Sequence, residues 1–401
     1  MTVTIAHLTH QGLGKPVEGE GFIPRVLPGE VVEVGEDGAT RIVTPSPDRV
    51  TPPCRHFRTC GGCALQHASD AFVAEWKHGV VVQALKARGM EPPFRPIATS
   101  PAQSRRRAKL SGRRTKSGAM VGFHARASHL LIDIPDCKLL TPGLMAARPG
   151  LERLTQVAAS RKAEVDLTVT ESRGGLDVVV GTAKELTGAL RIELAALAQA
   201  EGFARLTWND EPVVTINPPA QRFGPAQVVP PPGSFLQATE HGEAALRDAV
   251  LEIVGDAKRV VDLFAGCGTF SLPLAARAEV HAVEGEAAML AALDRGWREA
   301  PHLKRVTTET RDLFRRPLEA DEFKGFDAAV IDPPRAGAEA QVGRLVEAGV
   351  PRIAMVSCHP VTFARDAQTL TQGGYALDWV QAVDQFRWSA HVEMVASFPK
   401  I

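Results

Sequence analysis

The sequence predicts an α/β protein whose C-terminal half is a Rossmann-like, doubly wound parallel sheet. Three observations predict it. Residues 260–263, Val-Val-Asp-Leu, form a short apolar run of the kind a buried parallel strand needs, and Phe264-Ala265-Gly266-Cys267-Gly268 stops it. An apolar, helix-like run follows from Phe270, giving the strand, glycine turn and helix that build a nucleotide-type cofactor site. Apolar strand-like runs then alternate with helix-like ones to the end of the chain, which implies a parallel sheet.

Each element of that half follows. Residues 280–284, Val-His-Ala-Val-Glu, read as the second strand, ending in Glu284, whose carboxylate can accept hydrogen bonds from two ribose hydroxyls. Residues 287–298 and 338–347 are helix-like. The runs 328–331 and 353–356 are strands, followed by Asp332-Pro333-Pro334-Arg335 and Ser357-Cys358-His359-Pro360. Residues 379–383 and 392–398 suit an antiparallel pair completing the sheet.

With 401 residues the chain has room for two or three domains. Lysine and arginine (46) balance aspartate and glutamate (46), so overall charge gives no argument about nucleic acid. There is no basic region followed by an apolar core at the start and no run long enough to span a bilayer. A cytoplasmic monomer with no membrane partner is expected. Six cysteines in such a chain point to metal binding or catalysis before disulfides.

The N-terminal half divides at about residue 50. Residues 1–50 carry short strand-like runs around 12–14, 21–24 and 27–34 and resemble a TRAM domain, a small OB-like RNA-binding barrel, here cut short. Residues 51–235 form a central α/β domain, and 236–401 the catalytic one. The central domain opens with Cys54, Cys60-Gly61-Gly62 and Cys63, whose glycines let neighbouring thiolates converge. Cys137 is the best fourth ligand. Four cysteines suit a [4Fe–4S] cluster or a structural zinc. A helix is expected over 72–88. Residues 92–132 contain no acid but nine bases, namely Arg95, Arg105, Arg106, Arg107, Lys109, Arg113, Arg114, Lys116 and Arg126. That segregation predicts an RNA phosphate contact, with Arg105, Arg106, Arg107 and Lys109 as candidates on one strand face.

Two motifs define the chemistry. Asp-Pro-Pro followed by an aromatic suits methylation of exocyclic amines, because the ring stacks on the base; Arg335 occupies that place here. Cys358, after a strand, offers a nucleophile instead. Carbon C5 of uracil becomes reactive when a thiolate adds at C6, and a base must later remove the C5 proton so that the thiolate can leave. Cys358 and Glu393, in His391-Val392-Glu393, supply both groups. Cys267 reads as a small buried filler. Phe386 and Trp388 are candidates for the core or for stacking on a base.

Over nearly its whole length the chain resembles the bacterial RNA 5-methyluridine methyltransferases. The motifs carrying the resemblance are Cys54…Cys60-Gly-Gly-Cys63…Cys137, Phe235-Leu236-Gln237, residues 262–268, Asp332-Pro333-Pro334-Arg335, Ser357-Cys358 and His391-Val392-Glu393. The cysteines make it more similar to the iron–sulfur members acting on 23S ribosomal RNA than to the cluster-free transfer-RNA enzymes. The resemblance implies S-adenosylmethionine (SAM) as cofactor, contacted by Gln237, Phe264, Gly266, Gly268, Glu284, Asp332 and, near the adenine, Asp312. It implies a [4Fe–4S] cluster on the four cysteines, Cys358 as nucleophile and Glu393 as base. Residues 293–296 and 386–389 depart from the family pattern, and both are expected to face cofactor or substrate. The competing reading from another class is a non-catalytic RNA-binding protein that keeps the fold; Cys358 and Glu393 speak against it, since binding needs neither.

Overall fold

The computed structural model describes residues 2–36, 38–160 and 163–401. The catalytic half is an eight-stranded sheet with the order Val306–Thr310, Glu279–Glu284, Arg259–Leu263, Ala328–Ile331, Arg352–Ser357, Glu393–Pro399, Trp379–Asp384, Phe94–Thr99. Its first five strands are parallel, and Glu393–Pro399 enters antiparallel to both neighbours. The strands Arg259–Leu263, Ala328–Ile331, Arg352–Ser357 and Glu393–Pro399 are buried on both faces, which is why they read as continuous apolar runs and not as alternation. One face packs on Val250, Val254, Leu290 and Leu293, the other on Val342, Leu345, Phe363 and Leu370.

The strand and helix positions read from 260–398 hold to within a residue or two, with one difference. The helix after the glycine turn is only Ser271–Leu274. Pro273 lies within it, and the chain turns through 275–277 into the next strand. A long helix there would also collide with the hairpin Gln221–Phe223 and Ala226–Val228, since Gly224 already packs on Pro273.

The expected boundaries at 51 and 235 do not follow the packing. Phe94–Thr99 is the last strand of the catalytic sheet, paired in parallel with Trp379–Asp384. Helix Asp70–Lys86, capped by Ser69, contributes Val81 and Leu85 to the catalytic core. The 221–228 hairpin contributes Phe223, Ala226 and Val228 to the opposite core. Sequence periodicity identifies a strand but carries no record of its partner, and these three segments are far from their partners in the chain.

Helix Asp70–Lys86 is fastened by a buried ion pair. Lys77 Nζ lies 2.5 Å from Asp384 Oδ1 and also donates to the Phe386 carbonyl at 3.0 Å, with both charged side chains fully shielded. Burial lowers the Lys77 pKa and Asp384 opposes that shift. Removing one partner of such a pair costs about 3–5 kcal/mol, because it strands the other charge without solvent.

The remaining central domain is a seven-stranded sheet running Glu211–Thr215, Phe203–Trp208, Gly175–Gly181, Glu164–Ser172, Arg107–Arg114, Ala119–His124, Leu131–Asp133. Helix Gly188–Ala200 makes the crossover between the parallel strands Gly175–Gly181 and Phe203–Trp208. The N-terminal module holds five strands in the order Ile23–Pro24, Leu13–Pro16, Thr2–Leu8, Val31–Val34, Thr40–Thr44, so the segment is not too short for a five-stranded unit. Its core is Val3, Ile5, Val26 and Val32, with Glu30 buried against Arg49 and the Leu27 and Ser46 amides.

Candidate active site

The reaction centre is built where three strands end. Asp332 follows Ala328–Ile331 and Cys358 follows Arg352–Ser357. Glu393 is the first residue of the antiparallel strand, whose register sets Met394 opposite Ser357. The exit of one strand therefore meets the entry of the other, and residues 35 apart in sequence share a wall.

A cavity of about 600 Å³ opens at these carboxyl ends. Phe235, Gln237, Phe264, Gly266, Glu284, Asp312, Asp332, Cys358 and Glu393 all line it. Gly268 does not. Its φ of +94° suits glycine, and a Cβ there would stand 2.8 Å from Leu293 Cγ. It therefore shapes the turn from beneath. Leu293 and Gly296 are buried while Asp294 and Arg295 are not, and none of residues 293–296 lines the cavity expected to face them. Phe264 itself holds φ +63° and tilts against the exposed Phe314 with ring centroids 5.5 Å apart. Glu284 accepts from the Gly266 amide at 3.0 Å and the Glu286 amide at 3.1 Å, which fixes its carboxylate at the strand end.

The cavity's charge is one-sided. Glu284, Glu286, Asp312, Asp332 and Glu393 line it against Arg335. Beneath lies Asp262, fully buried, with Oδ2 accepting from Ser271 Oγ at 2.5 Å and Oδ1 without a partner. Burial pushes Asp262 up to about 7, helped by Glu284. Burial and the charge of Asp262 push Asp332 up to about 7. Glu393 rises to about 8, from burial first and Asp332 second. The Cys358 thiol rises to about 12 through burial, Glu393 and Asp332, with Arg335 pulling it back. A site this acidic and this dry fits a cation carrying ribose hydroxyls and an ammonium group. Cys267 is buried as expected, although it also borders the cavity.

Cys358 and Arg335 also line a second cavity of about 860 Å³. Its walls come from the catalytic segments at 358–361 and 390–392, from Trp76, Val80 and Gln83 of helix Asp70–Lys86, and from residues 7–11 of the N-terminal module. Sequence reasoning missed that last wall; only the fold brings a turn from the first strand to a nucleophile near residue 360. His391 is exposed into this cavity.

The basic segment divides. Arg106 is 6 % exposed, paired with Glu243 and donating to the Gln237 carbonyl at 3.3 Å, so it is a buried strut and not the phosphate contact expected. Arg107 donates to the Gly233 carbonyl at 2.9 Å, and Arg105 is partly buried, spanning to the Arg107 carbonyl at 3.0 Å. Arg95 stacks on Trp379 and pairs with Glu252. Lys109, Arg114, Lys116 and Arg126 are exposed. Composition shows the excess of bases but not which of them are consumed by carboxylates elsewhere in the chain.

The four cysteines lie in one neighbourhood and are partly buried. Cys54, Cys60 and Cys137 each raise the pKa of the Cys63 thiol, after burial, to about 12. Gly61 allows this approach, since a Cβ there would stand 2.7 Å from the His124 carbonyl oxygen. The Gly62 amide donates to Cys60 Sγ at 3.4 Å, and Cys137 Sγ accepts from the Leu139 and Leu140 amides. Among the described residues no three His, Cys, Asp or Glu side chains are gathered closely enough to hold a single metal ion. The same loop meets the 386–389 segment: the Trp388 carbonyl accepts from the Ala64 and Leu65 amides at 2.7 and 3.0 Å. Trp388 is buried, which settles it as core and not as a stacking platform.

Fold and site together define an α/β group-transfer enzyme whose cavity, at the carboxyl ends of the strands, is bordered by Cys358. A family model described as tRNA (Uracil-5-)-methyltransferase matches residues 230–398. An RNA methyltransferase of Rhizobium meliloti is 44 % identical over all of this chain and 99 % of its own length. The 23S rRNA (uracil(1939)-C(5))-methyltransferase RlmD of Halomonas elongata is 34 % identical over 98 % of this chain and 88 % of its own. The chain belongs to the RNA uracil-5-methyltransferase family. The fold matches that of the Pyrococcus abyssi tRNA (uracil-54, C5)-methyltransferase, crystallised with S-adenosyl-L-homocysteine, with a TM-score of 0.76 at 23 % identity over 99 % of both chains. No helix among the described residues is long and apolar enough to cross a membrane.

Proposed function

We propose that this enzyme methylates carbon 5 of a uridine in large-subunit ribosomal RNA, with SAM as donor and a covalent Cys358–C6 adduct. The observation that carries the reading is that Cys358 stands at the junction of two cavities, with Glu393 on the wall of the smaller one. The smaller cavity takes the cofactor and the larger one admits a nucleotide out of its stack. The choice of ribosomal RNA rests on the relative of that specificity, which aligns along almost the whole chain.

When bound, SAM supplies a methyl group on a sulfonium, open to attack by a carbon nucleophile. Gln237, Glu284, Asp312 and Asp332 would hold it. With a cation in the cavity, the raised pKa values of Glu393 and Cys358 both fall, moving the two groups toward their charged forms. The thiolate of Cys358 adds to C6, and the C5=C6 electron pair becomes available at C5 for the methyl. Glu393 then takes the C5 proton, that C–H pair re-forms C5=C6, the C6–S bond breaks and the thiolate returns. Arg335, beside Cys358 and facing both cavities, stabilises the thiolate at each end of the cycle.

The Glu393→Gln variant keeps the shape of the side chain and cannot accept that proton. It is expected to transfer one methyl and remain attached to RNA as an adduct that survives denaturing electrophoresis and disappears in the double variant with Cys358→Ala. Normal turnover with no trapped adduct would remove Glu393 from the role of base.

Lys109, Arg114 and Lys116 are assigned to RNA phosphate, in place of Arg106. Removing one cation from a phosphate should lower the slope of log affinity against log salt by about 0.7 for a single strand. The triple alanine variant should therefore flatten it by about two units. An unchanged slope would leave these side chains as solvated surface.

Cys54, Cys60, Cys63 and Cys137 are assigned to a [4Fe–4S] cluster. Supporting this, the thiols are partly buried, oppose one another's ionisation, and accept amide hydrogen bonds that suit ligated sulfur. A zinc ion, with sulfurs about 2.3 Å from the metal, needs the four thiols drawn into tighter contact. Protein purified without oxygen should be brown; colourless protein with one zinc per chain would contradict the assignment.

A further inference from the structure

Between the cofactor-side amide of Gln237 and the carboxyl of Glu393 lies a buried side chain that the reaction scheme does not use. Gln385, 1 % exposed, follows strand Trp379–Asp384. Its Oε1 accepts from the Ala238 amide at 2.7 Å. Its Nε2 donates to Gln237 Oε1 at 2.5 Å. A primary amide has a second N–H, and the nearby Glu393 carboxyl, whose pKa Gln385 lowers, is a group it can serve. Room for this arrangement is made on the facing helix Glu240–Val254, where a Cβ on Gly242 would stand 2.6 Å from Gln385 Cβ. Arg106 holds the same Gln237 backbone from behind, through its carbonyl.

We propose that Gln385 is a positioning residue that holds the base Glu393 and the cofactor-side amide of Gln237 in one hydrogen-bonded frame. The inference rests on the reaction assigned above. One amide spans the wall between cofactor and proton acceptor, so the carboxylate that must reach C5 is aimed from the cofactor side. The other groups facing Glu393 are Asp332, which opposes its charge, Arg335, which favours it, and the Cys358 thiol. Gln385 is the uncharged donor among them. Its N–H favours the carboxylate form, the form able to take a proton.

The test follows decay of the methylated protein–RNA adduct in single-turnover reactions across pH, using the full chain with its RNA. In the Gln385→Leu variant the adduct should persist at neutral pH, with decay roughly tenfold slower, and should clear when the pH is raised. Gln385→Met fills the same volume without a donor and should behave as Gln385→Leu. Gly242→Ala, which displaces the side chain without removing it, should shift the profile in the same direction. Thermal melting of each variant establishes that it is folded. A Met variant with the wild-type profile, or variants slowed equally at every pH, would overturn the inference. If Glu393→Gln traps no adduct, the assigned reaction itself fails; if it does and Gln385→Leu keeps the wild-type profile, the positioning role alone fails.

Discussion

The reaction centre depends on one backbone register. Ser357 lies opposite Met394 in an antiparallel pair set beside five parallel strands. A shift of one residue would turn Glu393 to the other face of the sheet and separate it from Cys358. The register is held by burial of Val356, Met394, Val395 and Ala396 on both faces, and on the far side by Trp379–Asp384. That strand is in turn anchored by Lys77 through Asp384. Thus a helix near residue 77 bears on the placement of the Glu393 carboxyl.

The second constraint is desolvation. Buried carboxyls crowd around an opening of about 600 Å³, and burial is the first cause of every raised pKa in it. Burial disfavours the charged forms of Asp332, Glu393 and Cys358 alike. A cation in the cavity opposes that effect and favours the charged forms of the same groups.

Much of the fold and site is legible in the sequence because its signals are local. A parallel strand buried on both faces reads as an apolar run, and the cavity-lining residue at its carboxyl end follows directly, as with Glu284, Asp332 and Cys358. What the sequence conceals is pairing across distance. Arg106 looks like its basic neighbours until Glu243 is seen beside it. Phe94–Thr99 carries no mark of its partner at Trp379–Asp384, and the turn at residues 7–11 gives no sign of facing Cys358. Gln385 is a polar residue after an apolar run, a pattern shared by many strand ends. Its meaning lies in Gln237 and Glu393 on either side.

The central claim is that Cys358 and Glu393 act in turn on adjacent carbons of one uracil ring. It is tested most directly with RNA carrying tritium at uridine C5 and a methyl-labelled cofactor. Wild-type enzyme should release one tritium to water for each methyl transferred, and Cys358→Ala should do neither. Glu393→Gln should transfer the methyl while keeping the tritium on the RNA. Methyl transfer by wild-type enzyme without tritium release would place the methyl elsewhere and contradict the account.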